Sequence, residues 1–315
     1  MIVVYALAGG GGCGGGGAVT VHVAAAPEIA PAVTRAAGRF NDARREVEGR
    51  CARAVVSPTD PLAVTTLLSG RGVAGDTRRP DVWIPDSSMW SGLAESAPKS
   101  TGKGRLTPGR PVAASPVVVA MPRSLAASLK AGGAPDGPSW LDLLKAASGS
   151  GSTEIRPGLV RVQVPDPDRT ATGMAALSMA AALPQGEPGQ DGGDATFTGV
   201  VRTLRQSVSP SVGTALASFR RDGRGRRPVA LVPEQAVFGH NAKGPAEAAV
   251  AVYPSEGTFS LDYPFVQVGN DPLKARAGRA LAAELGGDAT GRDVRDWGSA
   301  RRTAAPPAGS ARRPG

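Results

Sequence analysis

The chain has 315 residues, long for one small domain and short for three, so two domains of ordinary size are expected. Hydrophobic residues make up 41% of it but aromatic ones only 4%, beside 43 Gly and 28 Pro, so its core must be built from Ala, Val and Leu rather than large rings. The formal charge of +9 would suit a nucleic-acid partner if spread along a face, yet it gathers in an Arg-rich run over 220–227 and a tail over 291–315. No aromatic residues interleave with those runs to stack bases, apart from Trp297, which speaks against a nucleic-acid module.

Residues 1–17, MIVVYALAGGGGCGGGG, open with a short apolar run and continue in small residues, as an export signal does, although no Lys or Arg precedes the run. Eight apolar residues are far too few to span a bilayer. Cys13 could carry a lipid anchor, and the chain's other cysteine is Cys51. Each cysteine lies shortly before a strand-like run. If those strands are parallel neighbours a Cys13–Cys51 disulfide is geometrically open; otherwise the two have separate fates, a lipidated Cys13 and a free Cys51. Neither belongs to a CxxC or Cys/His cluster, so no metal and no cofactor is expected.

Strands and helices then alternate. AVTVHVAAA is a β-rich apolar run, Pro27 sits at a helix start, and the helix continues to about Arg45. ARAVV is a short strand, 57–60 a capping stretch and 61–69 a helix before Gly70; after a polar loop, DVWIP is a buried strand followed by a turn at Asp86, Ser87 and Ser88. A Gly/Lys/Pro-rich stretch over 96–110 reads as loop, and its STGKG lacks the flanking residues of a phosphate loop. Further strands are expected over 114–121, 159–164, 229–232, 249–253 and 265–268, with helices over 140–147, 174–183, 198–206, 212–220, from Glu234, and over 273–285. Beyond Gly286 the chain turns polar and Arg/Pro/Ala-rich, which predicts a disordered basic tail over 286–315. Alternation of this kind implies α/β architecture with a mostly parallel sheet in each lobe.

Catalysis has little to build on. The two histidines, His22 in a strand and His240 after a helix, read as a strand residue and a surface polar residue, and no nucleophile elbow, zinc motif or dinucleotide fingerprint is present. What recurs is a loop of small polar residues directly after a strand and at the start of a helix. Such loops lie at the carboxyl ends of strands, where ligands of open α/β sheets sit and helix N-terminal amides are free. Each loop alone is also an ordinary helix cap.

VHVAAAPEIAPAV, PDVWIPDSSMW, ASPVVVAMP, PDPDRTATGMAAL, VPEQAVFGHN and YPSEGTFSLDYPFVQV, taken in order, resemble the bacterial extracellular solute-binding proteins of type 2 periplasmic fold, on the molybdate-binding-like branch. They are also similar to the substrate-binding region that actinobacterial proteins carry ahead of a von Willebrand factor A domain, which is missing here. The resemblance implies an exported, non-enzymatic binder of one small molecule between two lobes, monomeric, with an ABC-type permease or another envelope protein as partner. It implies a first lobe from 18–113 and 249–285 and a second from 114–248. Carried over by position, the ligand residues are Ala26, Pro27, Ser87, Ser88, Ser115, Thr170, Thr172, Gly173, Glu234, Gln235 and Tyr263. The first loop has Ala where an oxyanion binder has Ser, and Glu28 beside it would repel an anion. A cell-surface interaction module with a vestigial cleft is the competing reading. An enzyme of the same fold, such as the tetrapyrrole-building deaminase, would need a cofactor-bearing Cys outside the first lobe.

Overall fold

The computed structural model describes residues 17–70, 77–96, 105–133, 137, 139–140, 160–182, 202, 205, 208–219 and 227–296. The signal-like leader with Cys13, the STGKG stretch, all but the first residue of the helix expected over 140–147, most of that expected over 198–206, the Arg run up to 226 and the tail from 297 lie outside them.

In chain order the elements begin β1 (Ala18–Ala25), α1 (Ala30–Asp42), β2 (Glu46–Val47), β3 (Arg50–Pro58), α2 (Pro61–Ser69), β4 (Val82–Ile84), α3 (Ser88–Ser96) and β5 (Leu106–Pro111). They continue with β6 (Ser115–Pro122), α4 (Arg123–Ala131), β7 (Val160–Pro165), α5 (Ala171–Ala182), β8 (Val208–Ser209), α6 (Val212–Ala217), β9 (Arg227–Pro233) and α7 (Glu234–Ala242). The last are β10 (Ala249–Val252), β11 (Ser260–Leu261), β12 (Pro264–Val268), α8 (Pro272–Leu285) and α9 (Asp288–Asp296). The described residues fall into two compact units, one drawn from Met1–Pro85, Trp90–Arg110 and Pro264–Asp293, the other from Asp86–Met89, Pro111–Tyr263 and Val294–Gly315.

The first unit is built on a sheet in the order β2-β3-β1-β4-β12-β5. β1 lies parallel to β3, with Val21 beside Ala54, and parallel to β4, with Val23 beside Val82. Val19, Val21 and Val23 are buried while Thr20 and His22 are half-exposed, the period-2 pattern of a strand with one closed face. α1 brings Ala32, Val33, Ala36, Ala37 and Phe40 inward at helical spacing, and α8 brings Ala277, Gly278, Leu281 and Leu285. Asn41 acts as a spare peptide group, its side-chain amide exchanging two hydrogen bonds with Ala54 of β3. Asp60 and Asp271 cap α2 and α8, accepting from Leu62 N and from Leu273 and Lys274 N.

The second unit has a sheet in the order β10-β6-β9-β7-β8, with β11 added along β6. Its core joins Val118, Ala120, Val212, Leu216, Phe219, Ala230, Val232 and Val237. Asn241 repeats the role of Asn41, clamping Ala249 of β10. Both sheets are mixed: β3-β1-β4 and β9-β7-β8 run parallel, whereas β12 pairs antiparallel with β4 and β6 with β9. β6 and β12 are the strands by which the chain enters each sheet from the other unit, and such strands need no crossover helix to reverse direction.

Three expectations are corrected. Residues 249–263 belong to the second unit, since β10 pairs with Met121 and Ala120 of β6 and β11 with Ser115. The alternation in that stretch gave a strand but no partner, so the crossing lies at Tyr263–Pro264. Residues 286–296 are ordered as a turn and α9, because Asp293 accepts from Arg35 and Arg39 of α1 and Thr290 from Arg39. The Pro-containing stretch read as loop ends in β5, an exposed edge strand, where proline is tolerated because one side of the strand needs no donor.

Candidate functional site

The loop after β1 closes up on itself. Ala26 is fully buried; its N–H donates to Ile84 O at 2.8 Å and its carbonyl accepts from Ile29 and Ala30 at the start of α1. Pro27 is exposed and has no N–H. These two residues of the first unit therefore present no amide donor to a ligand. Burial, together with the charge of Asp60, pushes the Glu28 carboxyl above its ordinary value.

In the second unit the residues gather into two clusters. The first surrounds the N-terminus of α5. Thr170 caps it, its Oγ1 accepting from Gly173 N at 3.1 Å. Gly173 is required there, because a Cβ would stand 2.3 Å from Pro165 O and 2.6 Å from Pro167 Cα. Ala171 N donates to Asp86 Oδ2 at 2.7 Å, so a carboxylate of the chain occupies the helix-terminal amide that an oxyanion would take. Thr172 is fully buried in the same turn, and its Oγ1 has no hydrogen-bond partner. Asp86 and Ser87 are buried as well; Ser87 Oγ accepts from Met89 N at 3.3 Å and Ser88 N donates to Asp262 Oδ1 at 2.8 Å. Helix α5 begins three residues before the sequence-expected Met174, since TATG itself forms its first turn.

The second cluster is a chain of hydrogen bonds at the ends of β6 and β9. Ser115 Oγ accepts from Gln235 N at 3.3 Å, and Gln235 Nε2 donates to the Tyr263 hydroxyl. All three residues are buried. Tyr263 holds φ +33°, a left-handed conformation that costs a non-glycine residue roughly 1–2 kcal/mol. It is kept there by its buried ring and by its carbonyl, which accepts from Val112 N at 3.0 Å. Glu234 turns aside to accept from the Tyr253 hydroxyl. Burial, and then that carboxylate, push the Tyr253 phenol up to about 12.

Ser87, Ser88, Thr170, Thr172 and Gly173 are thus brought together; Ser115, Gln235 and Tyr263 form their own cluster, and Glu234 stands beside it at the start of α7. Sequence reasoning passed over Asp86 and Asp262 as partners. Both sit next to quoted site residues, but nothing in SLDYP or PDSSM tells which amide each carboxylate will seek. His240 is structural, its Nε2 within 3.1 Å of Glu247 O and its ring edge-on to Phe219 at 6.2 Å. Cys51 is disulfide-bonded, and Cys13 lies outside the described residues. Among the described residues no cluster of His, Cys, Asp or Glu could hold a metal ion.

Residues 21–299 match the family of bacterial extracellular solute-binding proteins. The chain belongs to that family. No curated protein matches it by sequence. Solved structures share the fold of this solute-binding protein at low identity. A periplasmic thiamin binding protein is 14% identical at TM-score 0.60, over 92% of this chain and 86% of that one. Iron-bound HitA from Pseudomonas aeruginosa is 15% identical at 0.58, over 94% and 90%. The sulfate-binding protein SubI from Mycobacterium tuberculosis is 18% identical at 0.55, over 90% and 86%. The solute-binding protein therefore has the two-lobed α/β periplasmic-binding fold. Family and structural relatives are binding proteins rather than enzymes. Among the described residues no helix is long and apolar enough to cross a membrane.

Proposed function

We propose that this solute-binding protein captures a small molecule at the first turn of α5, outside the cytoplasm, and delivers it to an ABC-type permease. The observation that carries the reading is the Thr172 hydroxyl, a buried polar group with no partner in a family of ligand binders. Leaving such a group unpaired costs about 1–3 kcal/mol, which a ligand that hydrogen-bonds to it recovers. Ser87, Ser88, Thr170 and Gly173 shape the same turn, while Ser115, Gln235 and Tyr263 brace the neighbouring strand ends. Glu234 completes the proposed ligand set from the start of α7.

Asp86 narrows the ligand class. An oxyanion seeking Ala171 N–H would have to displace a carboxylate already held at 2.7 Å, so the group that meets Thr172 is neutral or cationic. The same reading pairs Cys13 with Cys51 and takes the protein as a monomer whose lobes close on the ligand. A thermal-shift screen of sugars, amino acids, organic cations and oxyanions tests it: binding to the native state alone raises the unfolding temperature. The expected hit is a cation or neutral polar molecule, and its shift disappears in Thr172→Val. No shift at millimolar concentration of any class would instead favour a non-transport interaction module with a vestigial site.

A further inference from the structure

A separate cavity of about 350 Å³ lies within the first unit, beside the carboxyl-terminal halves of β1 and β3. Its walls include His22 of β1, Ser57 and Thr59 at the end of β3, and Thr77, Arg78 and Pro80 on the approach to β4. Ala24 and Ser57 are cross-strand partners, so they point to one side of the sheet, together with His22 and opposite to Val19 and Val21. That side is open: Val55, two residues before Ser57, is 45% exposed.

The polar groups of this cavity are unspent. Among the described residues, the His22 ring, the Ser57 and Thr77 hydroxyls and the Arg78 guanidinium have no hydrogen-bond partner, and Arg78 meets no carboxylate within salt-bridge distance. Thr59 Oγ1 donates to Ser57 O at 3.0 Å and keeps its acceptor side free. The nearest carboxylates are committed elsewhere. Asp81 accepts from His22 N and pairs with Lys274, both at 2.9 Å, and Asp60 caps α2 beside Glu28. His22 also feels a cationic surrounding: burial, then Arg78, hold its imidazole below the ordinary value, against the pull of Asp81. One fork-shaped cation, one imidazole and hydroxyls around a pocket with Ala24 and Pro80 as apolar wall suit an oxyanion carried on a small organic body.

We propose that the face of the first sheet over His22 and Arg78 is a second binding site, selective for small organic oxyanions such as phosphate esters or carboxylates. It is independent of the α5 site, whose free amide is closed by Asp86. The full chain is titrated by isothermal calorimetry at low ionic strength with phenyl phosphate, benzoate and inorganic phosphate, the last showing whether the organic body contributes. Saturable binding of phenyl phosphate or benzoate is expected, weakened at least about tenfold in Arg78→Gln, as loss of a charge-assisted hydrogen bond predicts. Ser57→Phe, at an exposed position, should block the cavity without disturbing the core. Thr172→Val should leave this binding unchanged, and loss of binding in that variant would move the anion to the second unit and overturn the proposal. Absence of binding in the wild type, or binding indifferent to both Arg78→Gln and Ser57→Phe, overturns it as well.

Discussion

At the scale of single residues, the α5 turn works because one atom is missing and one is left over. Gly173 lets the helix start against Pro165 and Pro167, and Gly173→Ala would drive a methyl group into backbone at 2.3 Å. Backbone cannot yield as a side chain can, so the substitution should destabilise by at least about 1–3 kcal/mol, read as a lower denaturant midpoint. Tyr253 gives a second measurable signature. Its phenol should ionise near 12 in an ultraviolet titration, and Glu234→Gln, which keeps a hydrogen bond but removes the charge, should bring it down. None of this was readable beforehand at the same depth. TATG announces a helix start, whereas the clash that demands Gly173 comes from residues six and eight positions upstream, which only the folded turn brings near.

Among the elements, α9 shows how charge pattern alone misleads. A segment rich in Arg, Asp and Gly reads as disordered from its sequence, yet it is a helix, because Arg35 and Arg39, one turn apart on α1, both reach Asp293 and Arg39 also reaches Thr290. Burial alone would push the Asp293 carboxyl up, but hydrogen bonds and charge from Arg39 and Arg35 outweigh it and hold the group below its ordinary value of 3.8. A carboxyl lowered in the folded state adds stability above its unfolded value and loses it as pH falls through the folded one. The clamp should therefore be intact at neutral pH and released below pH 3.8, seen as loss of amide protection in α9 before the sheets unfold. Arg39→Ala should release it at neutral pH. The strands β1, β3, β4, β6, β7 and β9 were legible because apolar runs bounded by turn residues survive any tertiary context. The pairing of β10 and β11 was not, since short strands carry no label for the sheet they will join.

For the molecule as a whole, the order of elements and the family resemblance agreed on two α/β lobes, and the family match and fold neighbours support that reading. A Val-rich run marks β6 in the sequence, while no local pattern marks Tyr263 as the last residue of the second unit. Ligand chemistry was least legible, because it turns on which carboxylate meets which amide. Replacing Asp86 with Asn tests that at the molecular scale. The variant should gain a thermal shift with sulfate beyond that of the wild type, through an Ala171 amide no longer held by a charge, and the gain should persist when Arg78→Gln is added. If the wild type responds to sulfate through Thr172, the ligand class assigned to this site is wrong.

A core poor in rings brings backbones close, and that leaves a mark on how the sequence can drift. Glycine to alanine is the smallest exchange open to a chain with 43 glycines, and its outcome here is opposite at different places. At Gly38, exposed on α1 with nothing within 4 Å of a would-be methyl, alanine is free to appear and should add about 0.8–1.0 kcal/mol of helix stability. At Gly173 the same exchange is barred. Homologues gathered at increasing divergence should therefore shed the first glycine early and keep the second, so that the turn under the proposed ligand site can be dated by what never replaces it.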